Sequence, residues 1–253
     1  MEVNGQTKII GFIGSTYQTS KMYNLYNTAF KALNLNYIYI PLVFTNLEKG
    51  VLGIRNLGIH GIGVTTPYKI DIIKYLDEID KNAQKIGAVN AVINNNGKLI
   101  GYNTDGLGAV KALDEQNIMV KNKKIIILGN GGASKSIAKA LSDIGGKVVV
   151  LNRKSLNSLS FEIKNTDTLI NTTPVGMFPK INDSLVPSQI LFKALTVMDI
   201  ITNPKETKLI KEAKQKDCKI IYGERMLFWQ AVEKFKLFTG RVAPIKEMEK
   251  ALC

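Results

Sequence analysis

Short apolar runs alternate with amphipathic stretches along almost the whole chain, and no other feature narrows the possible folds as far. A run of four to eight mostly apolar residues reads as a strand, and a longer stretch with apolar positions three and four apart reads as a helix. Regular alternation of the two builds β-α-β units, and hence a parallel sheet with helices packed on its faces. Strands are predicted at 7–13, 36–41 and 61–65, with helices at 21–33 and 47–57. Another helix is predicted after Pro67, because Ile70, Ile73, Tyr75 and Leu76 recur at helical spacing and proline suits a first turn. Residues 88–94 and 99–102 flank a turn at 95–97 and read as a hairpin, and 104–116 is a helix leaving the first domain.

After the polar stretch 120–124 the alternation restarts, with strands at 125–128 and 147–151 around a helix at 134–144. Only residues 152–167 separate the second of these strands from the next, at 168–171. A parallel crossover needs about a dozen residues, so one short helix fits there, with Leu156, Leu159 and Ile163 as its apolar stripe. Strands at 196–200 and 219–222, a helix at 206–216 and two closing helices at 224–239 and 244–252 complete the chain.

The strand at 125–128 runs directly into Gly129-Asn130-Gly131-Gly132-Ala133-Ser134 and then into a helix. In that context a glycine pattern marks a dinucleotide site: Gly129 permits the tight turn and Gly131 lets the backbone approach a pyrophosphate, which the helix N-terminus stabilises. Ser134 replaces the third glycine and is small enough for helix–strand packing. The following Lys135-Ser136 raises a mononucleotide P-loop, but that motif needs glycine immediately before the lysine, where Ser134 stands. The next strand ends at Asn152-Arg153-Lys154, in place of the acidic residue that accepts hydrogen bonds from the ribose of NAD. Cations there favour a 2′-phosphate, so NADP is expected over NAD, with Arg153 binding through its planar fork and Lys154 as a point charge.

These readings combine into an α/β chain of three parts. An N-terminal α/β domain over 1–103 precedes a Rossmann-like dinucleotide-binding domain over 104–223, and C-terminal helices over 224–253 return to the first domain. The net charge of +13 suits an anionic ligand. Its lysines are scattered, with neither a basic arm nor a basic tract interleaved with aromatics, so a nucleic-acid partner is not expected. Cys218 and Cys253 fit no disulfide framework or metal spacing, so no metal is expected and both are taken as reduced thiols. No apolar run reaches the ~18 residues of a membrane span, and the polar first residues lack a signal-peptide layout, so the protein is expected in the cytosol.

Upstream of the glycine loop stands Gly63-Val64-Thr65-Thr66-Pro67-Tyr68-Lys69, which resembles the "NVTxPxK" signature of the shikimate dehydrogenase family. Further matches follow in family order. Gly14 to Asn27 resembles the substrate-binding "GxPxxHSxSPxxHN" segment, Gly87-Ala88-Val89-Asn90 resembles "GAVNT", and Gly101 to Gly108 resembles "GxNTDxxG". The glycine loop is similar to "GAGGA", Asn152-Arg153 to "NRT", Asn171-Thr172-Thr173 to "NATxxG", and Met226 to Gln230 to the end of "GxxMLxxQ".

The resemblance implies an NADP-dependent oxidoreductase that reduces 3-dehydroshikimate to shikimate in aromatic amino-acid (chorismate) biosynthesis, acting as monomer or homodimer on a small anionic cyclic hydroxy acid. It implies Lys69 and Asp105 as the catalytic pair and Ser20, Thr65, Asn90 and Gln230 as substrate contacts. Gly129, Asn130, Gly131, Gly132, Ala133, Asn152, Arg153, Lys154 and Met226 are implied at the cofactor. A lysine beside a carboxylate in a partly closed cleft can exchange a proton with a carbonyl oxygen, which is typically worth about 10²–10⁴ in rate. His60, the only histidine, matches no catalytic position and is assigned a packing or surface role.

Four positions depart from the pattern. Met22 stands at the second carboxylate-binding serine, Gly63 at the asparagine of "NVT", Thr202 at a substrate-side tyrosine and Arg225 at the second glycine of "GxGML". The link over 152–167 omits a helix and a strand usual in the family, which predicts a second sheet one strand smaller on that side. These departures support an alternative: a relative acting on quinate or another cyclic hydroxy acid, or a non-catalytic nucleotide-binding member.

Overall fold

The computed structural model describes residues 3–14 and 20–252. Residues 15–19 of the Gly14 to Asn27 segment, and Cys253, lie outside the described residues. The chain divides into two compact units, Met1–Thr104 with Ala231–Cys253, and Asp105–Gln230.

The first unit contains β1 (Lys8–Ile13), α1 (Met22–Ala32), β2 (Tyr37–Pro41), α2 (Leu47–Asn56), β3 (Gly61–Val64), β4 (Glu78–Ile79), α3 (Lys81–Ile86), β5 (Ala91–Asn95) and β6 (Lys98–Tyr102). Its sheet has the order β2-β1-β3-β5-β6-β4. β1 runs parallel to β2 and β3, whereas β5 is antiparallel to β3 and β6. The β5–β6 hairpin turns on Asn96 and Gly97, both at positive φ, as a two-residue turn matching the strand twist requires. Val51, Ile54, Ile62, Val64, Val89, Val92 and Leu99 build one apolar layer. An aromatic layer stacks Tyr26 on Tyr39 at 4.4 Å between ring centroids and Phe30 on Phe235 at 5.6 Å. It ties the C-terminal part of α8 (Gly223–Thr239) to α1, and Tyr26 Oη donates to Ala231 O at 3.2 Å. The last helix, α9 (Ile245–Leu252), also packs on α1, where Asn24 Nδ2 donates to Ala251 O at 3.0 Å. The first unit thus takes in the part of α8 from Ala231 onward and α9.

Two expectations fail in this unit. The α-helix predicted after Pro67 is a five-residue 3-10 helix, Asp71–Tyr75. An α-helix would need Lys69 O to accept from Ile73 N; instead Lys69 O accepts from Val89 N at 2.7 Å, and Ile73 N turns to Ile70 O at 3.3 Å. No element is expected over 77–87 from the sequence, yet β4 and α3 form there. Asp80 caps α3 by accepting from Asn82 N and Ala83 N, and Gly87 ends it in the left-handed region.

The second unit contains α4 (Asp105–Glu115), β7 (Lys124–Leu128), α5 (Gly132–Asp143), β8 (Lys147–Leu151), α6 (Leu159–Glu162), β9 (Thr168–Asn171), β10 (Thr196–Asp199), α7 (Lys208–Gln215), β11 (Lys219–Tyr222) and the first turns of α8. Five parallel strands lie in the order β11-β10-β9-β7-β8. The strand count matches the expectation drawn from the short 152–167 link, which holds only a 3-10 turn and the four-residue α6. β8 is consequently an edge strand, with Val150 exposed. Among the described residues no helix is long and apolar enough to cross a membrane.

Candidate active site

In the first unit Thr65 and Asn90, singled out from the sequence, lie at the end of β3, on the side where parallel α/β sheets bind ligands. Thr65 follows β3, its N–H donating to Ile13 O at 3.0 Å and its carbonyl accepting from Tyr68 N at 3.0 Å. That turn carries the chain to the half-buried Lys69, whose carbonyl is held by Val89. Asn90 is wholly buried. Its Oδ1 accepts from Thr104 N at 3.0 Å and its Nδ2 donates to Thr104 Oγ1 at 3.1 Å, fixing the residue that precedes Asp105. Ser20 Oγ accepts from Met22 N at 3.2 Å at the start of α1.

The departures near this group have structural counterparts. Met22 is buried, so this side chain serves packing. At Gly63 a β-carbon would overlap Tyr39 Oη, and the buried Tyr39 ring also packs against Tyr23 and Phe12. An asparagine cannot enter unless Tyr39 moves. His60 Nε2 lies 2.8 Å from Phe238 O, and burial lowers its pKa, which fits the packing role.

In the second unit Asp105 opens α4 and is buried. The next amide, Gly106 N, donates to Ser136 Oγ of α5 at 2.8 Å. Gly129 follows β7; its φ of +122° lies in the region that favours glycine, and a β-carbon there would overlap Thr172 Oγ1. Ser134, the stand-in for the third glycine, is buried and donates from Oγ to Gly129 O at 2.8 Å. Serine therefore packs and also closes the loop on itself. Gly131 caps α5, and a β-carbon on it would meet no protein atom within 4 Å. Nothing in the protein demands glycine at that point, whereas a pyrophosphate laid on the helix N-terminus would.

Past the end of β8, Asn152 Oδ1 accepts from Lys154 N at 2.9 Å, and Asn152 N donates to Ser155 Oγ at 3.0 Å. This turn presents Arg153 and Lys154 to solvent, and neither forms an ion pair with a described residue. A dinucleotide with a 2′-phosphate fits these groups: backbone amides at the helix start, two cations at the next strand end, and the buried Met226 of α8. Gln230, one turn further along α8, is buried and donates from Nε2 to Leu227 O at 2.8 Å.

Residues 12–92 match the shikimate dehydrogenase substrate binding domain, and residues 223–253 match the shikimate 5′-dehydrogenase C-terminal domain. The chain is 40% identical to the shikimate dehydrogenase (NADP(+)) of Methanocaldococcus jannaschii, over 99% of this chain and 98% of that one. The chain belongs to the shikimate dehydrogenase family. A crystal structure of a shikimate dehydrogenase in complex with NADP+ superposes with a TM-score of 0.92 at 40% identity, covering 99% of this chain and 96% of the other. The shikimate 5-dehydrogenase of Listeria monocytogenes, solved with shikimate and NAD, gives a TM-score of 0.88 at 28% identity over 100% and 99% of the two chains.

Of the residues singled out in this shikimate dehydrogenase family member, Ser20, Thr65, Lys69 and Asn90 fall in the first unit, and Asp105, Met226, Gln230 and the whole glycine loop in the second. Three further groups escape the sequence reading. Ser136 bonds the start of α4. Asp199, at the end of β10, is buried, its Oδ1 accepting from Asn171 Nδ2 and Ile201 N at 3.1 Å each and its Oδ2 from Thr207 Oγ1 at 2.7 Å. Burial pushes its pKa up to about 6 against the pull of those bonds. Its one sequence signal is a carboxylate inside the apolar stretch from Val197 to Ile201. The third group is a carboxylate clamp around Arg225. From sequence that cation could replace a carboxylate contact or obstruct the nicotinamide; its guanidinium is paired with Glu115.

Proposed function

We propose that this chain is an NADP-dependent oxidoreductase that reduces 3-dehydroshikimate to shikimate in aromatic amino-acid biosynthesis. The observation that carries the reading is the near-complete alignment, at 40% identity, with a relative named shikimate dehydrogenase (NADP(+)). The build of the glycine loop and the two solvent-facing cations after β8 support it from the chemistry.

Bound NADPH would supply the hydride for the carbonyl carbon. In this reading Lys69 gives a proton to the carbonyl oxygen as that oxygen gains negative charge, and Asp105, the other member of the catalytic pair, holds a ring hydroxyl. Thr65, Asn90 and Gln230 hold hydroxyls of the ring, with Ser20 at the carboxylate. The amides around Gly131 and Gly132 hold the pyrophosphate, Asn130 and Ala133 line the same loop, and Asn152 shapes the turn that offers Arg153 and Lys154 to the 2′-phosphate. The same reading places the protein in the cytosol as a monomer or homodimer, with neither a nucleic-acid nor a membrane partner.

One observation favours a second reading, an altered cyclic acid such as quinate or a non-catalytic member. Met22 is buried, and its side chain offers no conventional donor to a carboxylate. A carboxylate short of one charge-assisted bond binds about 1.5–3 kcal/mol more weakly. Steady-state assays crossing NADP and NAD with shikimate and quinate decide between them. The proposal expects the highest kcat/KM for shikimate with NADP. A preference for quinate, or clear NADP binding with no turnover of any acid, would overturn it.

A further inference from the structure

Arg225 lies in the first turn of α8, and Trp229 one turn later on the same face. Both are fastened to one carboxylate at the end of α4. Arg225 Nε donates to Glu115 Oε2 at 2.7 Å, Arg225 Nη2 donates to Glu115 Oε1, and Trp229 Nε1 donates to Glu115 Oε2 at 3.3 Å. The guanidinium also lies 4.8 Å from the centroid of the Phe228 ring. Both charged side chains are about three-quarters buried, so water screens the fork only in part.

Two helical turns before Glu115, on the same face of α4, comes Gly108. A β-carbon there would stand 2.8 Å from Met226 O and 2.8 Å from both Gln230 N and Gln230 Cβ. The helices therefore touch backbone to backbone at the segment that carries Met226 and Gln230. Such a contact brings the two helices close but does not by itself choose a direction. The three N–H donors on Glu115 supply the missing direction, because their geometry holds only for one rotation and one height of α8. Asp105 opens the same α4, so the helix acts as a common rail for three residues of the proposed chemistry.

We propose that Glu115 is a positioning residue, which through Arg225 and Trp229 fixes the rotation and height of Met226 and Gln230 relative to Asp105. This rests on the roles proposed for those three residues. Misplacement by about 1 Å at such a site can cost about a hundredfold in rate.

The test uses the full-length protein and the variants Glu115→Ala, Glu115→Gln, Arg225→Ala and Glu115→Ala with Arg225→Ala. Trp229 is the only tryptophan, so its emission reports the clamp directly. In Glu115→Ala the emission should change and the melting temperature should fall by only a few degrees, as expected for a partly exposed pair. NADPH affinity, followed by fluorescence of the reduced nicotinamide, should weaken, and kcat and kcat/KM for 3-dehydroshikimate should fall together by about tenfold to a hundredfold. The double variant should be no worse than Glu115→Ala, because both remove one unit. Glu115→Gln, which keeps one acceptor oxygen, should recover part of the loss, and it stands in for the alanine variant should that one not fold. Unchanged emission, additive effects in the double variant, or NADPH affinity and kcat both at wild-type level would overturn the proposal. A wild-type protein inactive on every acid would instead sink the proposed reaction, and the clamp would then stand or fall on NADPH affinity alone.

Discussion

Replacing Asp199 by asparagine should make the second unit more stable at neutral pH, with a gain that disappears in acid. The Asp199 carboxyl is buried with its three hydrogen-bond donors, and its pKa is raised from the ordinary 3.8 to about 6. A carboxyl with a raised folded-state value favours the fold when protonated. Its contribution is fully present below about pH 4 and is lost as pH rises through about 6. The difference of about two pH units, at about 1.4 kcal/mol each, amounts to about 3 kcal/mol of stability forfeited by pH 7. The asparagine side chain of Asp199→Asn would be neutral throughout and retains an oxygen to accept from Asn171 and Ile201 and an N–H for Thr207 Oγ1, so it escapes that loss. Denaturant unfolding followed by Trp229 emission, at several values between pH 4 and pH 7.5, gives the stability difference between Asp199→Asn and wild type while effects of other carboxyls cancel. The difference should move in favour of the variant by about 3 kcal/mol across that range. A constant difference would show that Asp199 ionises as an ordinary carboxyl in the fold, and the desolvation argument would be wrong.

Other substitutions probe the packing and the cofactor reading. Gly63→Ala should lower stability by about 1–3 kcal/mol because its β-carbon overlaps Tyr39 Oη, and adding Tyr39→Phe should restore most of that loss in a thermal melt. No recovery in the double variant would place the strain elsewhere. Arg153→Ala should weaken NADPH by about 1.5–3 kcal/mol, or roughly tenfold to a hundredfold, and leave NADH nearly unchanged, because the lost bonds are to the 2′-phosphate alone. Equal loss for both cofactors in fluorescence titrations would remove Arg153 from that role.

The parts of the molecule that one sequence makes legible are those whose causes are local. The strand–turn–helix around the glycine loop is legible because the strand, the tight turn and the helix start follow each other within a dozen residues, and each leaves its own composition mark. The strand count of the second sheet is legible through chain length alone, since the 152–167 link is too short for another strand and its crossover. What fails depends on partners distant in the chain. The spacing after Pro67 is helical, but the amide of Val89 takes the carbonyl that an α-helix would need. β4 is two residues long and exists because β6 lies beside it. Glu115 lies 110 residues before Arg225, and no pattern of either one marks the pair. Asp199 is visible as an oddity within an apolar strand, yet only the fold shows Asn171 and Thr207 turned onto it.

The departures at Met22, Gly63 and Arg225 share a physical theme. Each position that the family fills with a small or hydrogen-bonding residue is here tied into packing or pairing: Met22 in the core, Tyr39 over Gly63, and Arg225 on Glu115.

The proton-transfer role of Lys69 is tested most directly by Lys69→Ala, assayed with NADPH and 3-dehydroshikimate through the absorbance of the reduced nicotinamide, with shikimate binding measured in parallel. The account predicts a fall in kcat of about 10²–10⁴ with binding largely kept. Turnover near the wild-type rate in that variant would contradict it, because the carbonyl oxygen would then be receiving its proton from another group.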